Sequence, residues 1–184
     1  MPVDLLQYRS FTYKAGGAAL TRAPAAAIWD VVTKIGGDNR YYAMNALWTV
    51  REWMDAAVGG RGLERTRPAS GELRPGDRLD SWEVLIAEPE RQLALVFGMK
   101  APGDGVLEFV IKPIPPEGRG GSRLTATAYW EPDGVAGLLY WRAMQPAHIL
   151  LFRRLTAKIC RRAQEQSVPR ASRRPAKLAV TGSG

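Results

Sequence analysis

The feature that most constrains this chain is a change of hydrophobic period near residue 60. Before it, after one short alternating stretch, apolar residues recur at helical spacing. After it they alternate in five runs, near 62–67, 79–87, 92–100, 105–114 and 122–131. Alternation places successive side chains on opposite faces of a strand. The runs are separated by turn signals: Pro75 with Gly76, Glu88 with Pro89, the APGDG loop at 101–105, and PPEGRGGS. Short connections of this kind make hairpins, so an antiparallel sheet is expected. Pro132, Asp133 and Gly134 then open one long helical segment that runs to about residue 165, with Pro146 as a site for a kink.

The first sixty residues supply fewer elements. YRSFTYK at 8–14 alternates around Phe11 and Tyr13 and meets Gly16 and Gly17, which predicts a short first strand. Pro24 suits a first helical turn, and Ile28, Val31, Val32 and Ile35 follow at helical spacing up to Gly36 and Gly37. Met44, Leu47, Val50, Met54 and Val58 predict a second helix that ends at Gly59 and Gly60. The order strand, two helices, strands, long helix is an α+β pattern with one core, expected over residues 1–165 as a single domain.

Composition narrows the function classes. No apolar run reaches the ~18 residues of a spanning helix. The N-terminal MPVDLLQYRS has no basic leader followed by a cleavable apolar segment, so a cytoplasmic location is expected. Cys160 is the only cysteine, which excludes an internal disulfide and a thiolate metal cluster. A single histidine with scattered carboxylates lacks the spacing that metals need, so no metal and no cofactor are expected. The net charge is +8, and residues 166–184 hold Arg170, Arg173, Arg174 and Lys177 without an acid. That stretch, rich in small residues and proline, reads as a disordered basic tail. It lacks interleaved aromatics and a recognisable nucleic-acid motif, so nucleic acid is not the expected partner.

Alternation also assigns faces. Leu95, Phe97 and Met99 fall on the same side as Leu107, Phe109 and Ile111, and Leu124, Ala126, Ala128 and Trp130 form the inward set of the last strand. Lys100 and Glu108 fall on the opposite side and are expected as a surface pair. Trp82, Val84 and Ile86 point inward, and Asp80, by the same alternation, goes with them.

Several strings in order carry a family resemblance: GGRGLERTR at 59–67, LRPGDRLDSWEV at 73–84, MKAPG with LEF at 99–109, EPDGVAGLLYW at 131–141 and PAHILLF at 146–152. Over about residues 9–163 the chain resembles a bacterial family of unknown function whose members occur alone or behind an NAD(P)-binding, epimerase-like domain. The resemblance implies the helix-grip fold of the START/SRPBCC superfamily, which includes polyketide cyclases and lipid carriers. It further implies a separate NAD(P)-binding partner protein, because no GxGxxG pattern occurs in this chain. Asn39 and Arg40 stand where a glycine and a tryptophan are expected before Tyr41 and Tyr42, a departure at the expected pocket mouth.

In such a fold a curved sheet wraps the long C-terminal helix, and the space between them holds a small hydrophobic or amphipathic molecule. Counting by three and four places Trp141, Gln145, His148, Phe152, Leu155 and Ile159 on the inward stripe. The expected ligand-binding residues are Tyr41, Arg51, Trp82, Phe97, Met99, Phe109, Trp130 and Trp141, with Arg51 reaching a carboxylate or phosphate head group. The alternative for Arg51 is a surface pair with Asp55 one turn on, worth about 0.3 kcal/mol. His148 has two readings. As a structural residue it satisfies the carbonyl that Pro146 frees one turn back. As a catalytic one it is a general acid or base oriented by Asp80, in a cofactor-independent cyclase, dehydratase or isomerase.

Overall fold

The computed structural model describes residues 4–35, 72–80, 82–98, 101–118 and 120–167. Within them lie six strands: β1 (Tyr13–Thr21), β2 (Arg78–Leu79), β3 (Trp82–Glu88), β4 (Gln92–Phe97), β5 (Gly103–Pro113) and β6 (Ser122–Pro132). Two α-helices accompany them, α1 (Ala25–Val32) and α2 (Gly134–Ser167), and a 3-10 segment, Leu5–Ser10, precedes β1. The second helix expected from Met44 to Val58 and the strand expected at 62–67 lie outside the described residues.

The strands form one antiparallel sheet in the order β1-β6-β5-β4-β3-β2. From β2 to β6 each strand pairs with its successor, as hairpin connections require, and β1 closes on β6 with Tyr13 opposite Trp130. α2 lies across β1 and β6 and also packs against α1. This is the helix-grip arrangement, a curved antiparallel sheet around a long C-terminal helix.

Three local features depart from the alternation pattern. The predicted first strand is instead the 3-10 segment followed by a longer β1, and Gly16 and Gly17 sit inside that strand rather than ending it. The reason is close approach. A Cβ on Gly17 would lie 2.7 Å from the backbone of Phe152 and Arg153, so only glycine lets α2 cross β1 at this distance. In β3 a register shift between Val84 and Ile86 turns Ile86 away from the main core. Val84 stays inward, Ala87 takes the next inward place, and Ile86 packs with Leu85 on the outer face.

The third departure concerns that outer face. Glu108, expected at the surface, is only 4% exposed. Alternation assigned its side of the sheet correctly, but the 3-10 segment folds over that side and buries Tyr8 and Phe11 against Ala94 and Val106. The sheet therefore carries a second, smaller core on its outer face. Glu108 is the buried anion at its edge, accepting from the Tyr8 hydroxyl at 2.6 Å, Arg9 Nε at 3.0 Å, Gln92 Nε2 at 3.1 Å and the Tyr129 hydroxyl at 3.1 Å. Burial and the neighbouring Glu108 push the Tyr8 and Tyr129 hydroxyls above the usual phenol range.

Candidate functional site

The main core lies between the inner face of the sheet and α2, and it changes character along its length. Towards α1 it is dense: Ile28, Val31, Leu93, Phe109, Leu124 and Ile159 are all essentially inaccessible. Towards the start of α2 the side chains become aromatic and converge on a cavity of about 20 Å³. Trp82, Phe97, Ala128 and Trp130 line it from the sheet, and Tyr140, Trp141, Met144, His148, Leu151 and Phe152 from the helix.

Strand pairing sets the sheet side of this wall. Trp82 lies opposite Phe97 across β3 and β4, and their rings are 4.3 Å apart. The Phe97 ring continues over β5 at Gly105, where a Cβ would collide with two of its ring carbons, and meets Trp130 edge-on at 6.4 Å. Trp130 reaches across to Tyr140 on α2 at 5.2 Å, and its indole N–H donates to the Gly137 carbonyl at 3.2 Å. With its donor satisfied on the backbone, Trp130 offers the cavity only ring surface.

On the helix, spacing does the positioning. α2 continues unbroken through Pro146. Pro146 is itself exposed, so the carbonyl one turn back, that of Arg142, lies on the solvent side. His148 points the other way. It is 7% exposed, with its ring 4.8 Å from Trp141 and 5.7 Å from Phe152. It is the one imidazole among the described cavity-lining side chains, held between two aromatic rings.

Of the residues expected from the sequence, Trp82, Phe97, Trp130, Trp141 and His148 come together around this cavity. Phe109 does not. It is two residues further along β5 than Leu107, packed into the dense end of the core between Leu93 and Ala126. Gln145 is exposed, and Met144 takes the inward place, because the stripe advances by three residues there before advancing by four to His148. Asp80 is not part of a strand. It occupies the two-residue connection between β2 and β3 at φ 55°, a left-handed conformation that such hairpins favour and aspartate tolerates. It is not among the described residues that line the cavity. Met99, Tyr41 and Arg51 lie outside the described residues.

Met144 and Leu151 were not anticipated. Both are ordinary apolar residues on a helix whose inward face is wider than a single stripe, and only the packed structure distinguishes wall from flank. Cys160 is buried further along α2, and burial pushes its thiol up to about 11. It is an inert core residue. Among the described residues, no three of His, Cys, Asp or Glu stand together in a way that would hold a metal ion. None of the described helices is long and apolar enough to cross a membrane.

A family model described as Protein of unknown function (DUF2867) matches residues 9–155, the span that builds both walls of the cavity. The chain belongs to that family. No curated protein matches this DUF2867 member. Several solved structures resemble it. One is TTHA0849 from Thermus thermophilus, at 12% identity over 85% of this chain and 100% of that one, with a TM-score of 0.48. Another is the polyketide-cyc-like protein Cgl2372 from Corynebacterium glutamicum, at 13% identity over 90% and 93% of the two chains, with a TM-score of 0.47. A third, Ms6760 from Mycobacterium smegmatis, has 14% identity over 85% and 91%, with a TM-score of 0.46.

Proposed function

We propose that this chain binds a small hydrophobic or amphipathic molecule between its sheet and α2, as a carrier, sensor or accessory protein of the cytoplasm. One observation carries the proposal: aromatic rings from three strands and a helix converge with a single imidazole on an unfilled point in an otherwise dense core. Cores ordinarily leave few voids larger than a water molecule. Here the space of about 20 Å³ is about what one water needs. Pockets that enclose a drug-sized ligand measure ~300 to 1,000 Å³. Binding therefore requires part of the wall to yield. The half-buried Phe97, Tyr140 and Met144 are the candidates, and methionine is the most adaptable of the three. Tyr41, Arg51 and Met99 complete the proposed binding set, with Arg51 for an acidic head group.

A second function, favoured by the position of His148, is a cofactor-independent cyclase, dehydratase or isomerase. His148 would move the proton, with Asp80, in the turn before Trp82, as its orienter. The family resemblance adds a separate NAD(P)-binding protein as a proposed partner.

Thermal unfolding and tryptophan fluorescence, measured with fatty acids and with fused-ring aromatics, test the proposal. A compound that raises Tm and perturbs the fluorescence of the wild type, but does neither in Ala128→Leu, supports it. At a hundred times its Kd such a compound would stabilise the fold by about 2.7 kcal/mol. Absence of both effects across the two classes, or equal effects in both proteins, would overturn it.

A further inference from the structure

The side of α2 turned away from the cavity carries its own signal. Val135 is 72% exposed, Leu139 63% and Leu150 43%, and Ala143 and Pro146, between them, are also exposed. Their spacing of four, four, three and four residues puts all five on one helical face, a strip about 22 Å long at 1.5 Å per residue. An amphipathic helix of a globular domain ordinarily presents polar side chains to water there. Contiguous apolar surface that stays exposed marks a contact with something else.

Charge indicates what that something is. Over Gly134–Ser167 the helix holds Arg142, Arg153, Arg154, Lys158, Arg161 and Arg162 against a single acidic residue, Glu165, which lies beyond the strip and pairs with Arg161, and the chain after it adds four more bases. Arg142, Arg153 and Arg154 are exposed beside the strip. We propose that this face of α2 docks on an anionic lipid surface, its aliphatic strip entering the headgroup boundary while the flanking arginines meet lipid phosphates. A second copy of the chain fits less well, because two copies would bring two equally basic helices together with no acidic residue on the strip to offset the repulsion. A protein partner fits less well too, since the strip is convex and has no tryptophan or tyrosine anchor of the kind that dominates protein interfaces. The inference is independent of the cavity proposal, although Leu139 adjoins Tyr140 and docking would bring the cavity wall to the lipid.

Co-sedimentation of the full chain with vesicles tests it, using phosphatidylcholine alone and phosphatidylcholine mixed with phosphatidylglycerol. Binding is expected to the mixed vesicles only, and to weaken with added salt. Leu139→Glu should weaken it about tenfold or more, since it removes an inserted aliphatic group and adds a like charge. Arg153→Ala with Arg154→Ala should weaken it about five-fold for each charge. Both sites are exposed, and unchanged circular dichroism would show that the variants fold. No binding to the mixed vesicles would overturn the proposal. So would binding that survives both helix variants but is lost when Arg170, Arg173, Arg174 and Lys177 are replaced by alanine in the full chain. A concentration-dependent dimer or a soluble protein complex that Leu139→Glu dissolves, without vesicle binding, would assign the face to a protein and overturn it equally.

Discussion

The Tyr8 hydroxyl donates to Glu108 Oε1 across 2.6 Å, joining residues one hundred positions apart. It fastens the 3-10 segment to the outer face of the sheet. Removing that hydroxyl leaves a buried carboxylate with one donor fewer, which costs about 1–3 kcal/mol. Tyr8→Phe is therefore expected to lower the free energy of unfolding by that amount, read as a lower urea midpoint at unchanged m, without changing the cavity. The pH dependence follows from the raised pKa of Tyr8. The folded protein holds a phenol proton that the unfolded chain releases near pH 10. This contribution is whole below about pH 10 and is lost as pH rises towards the folded value. Unfolding curves between neutral pH and pH 11 should show stability falling at the alkaline end, and Tyr8→Phe should flatten that fall. An identical fall in both proteins would exclude Tyr8 as its source.

Gly17 sets the distance between α2 and β1. A methyl group there meets helix backbone, which cannot rotate away, so Gly17→Ala must push α2 outward. Overpacking of this kind costs about 1–3 kcal/mol. Because Phe152 lies at the crossing and also lines the cavity, the variant should alter the tryptophan fluorescence as well as the urea midpoint. A stability loss with an unchanged spectrum would show that the crossing and the cavity are uncoupled.

Much of this was legible in the sequence, because alternation and turn residues are local signals. Four of the hairpin-paired runs appear within a few residues of their expected bounds, and Trp82, Phe97, Trp130, Trp141 and His148 share one cavity as their faces implied. What alternation cannot say is whether the opposite face is covered. Glu108 was misplaced for that reason alone. A signal was nonetheless present, since Ala94, Val96, Val106 and Val110 share its outward face, and aliphatic residues on both supposed faces of a strand imply cover on both. The bulge in β3 shifts Ile86 by one position, and the period of two gives no warning of it. Gly16 and Gly17 look like terminators until the helix that crosses them is known.

The Cys160 thiol, raised to about 11 by burial, is almost wholly protonated at neutral pH and closed to reagents. Labelling of the native protein with iodoacetamide at pH 8 should be slower than labelling of the urea-unfolded chain by about a hundredfold or more, the ratio of their thiolate fractions. Rapid labelling of the native protein would mean that this part of α2 opens readily.

His148→Phe separates binding from catalysis. Phenylalanine keeps a planar ring against Trp141 and Phe152 while removing both ring nitrogens. If the cavity only binds, affinity for an apolar ligand should change by less than about threefold, or 0.7 kcal/mol. If His148 moves a proton in turnover, kcat should fall by about a hundredfold or more with KM nearly unchanged.

The central claim is that the aromatic-walled space between the sheet and α2 takes up a small molecule. Native mass spectrometry of freshly purified wild type and Ala128→Leu, followed by organic extraction, tests it most directly. The added side chain fills the space between Trp130 and the helix without adding charge. A stoichiometric mass retained by the wild type, absent from Ala128→Leu and recovered as one hydrophobic or amphipathic compound, is the predicted result. A retained mass equally abundant in both proteins would place the ligand elsewhere and contradict the account.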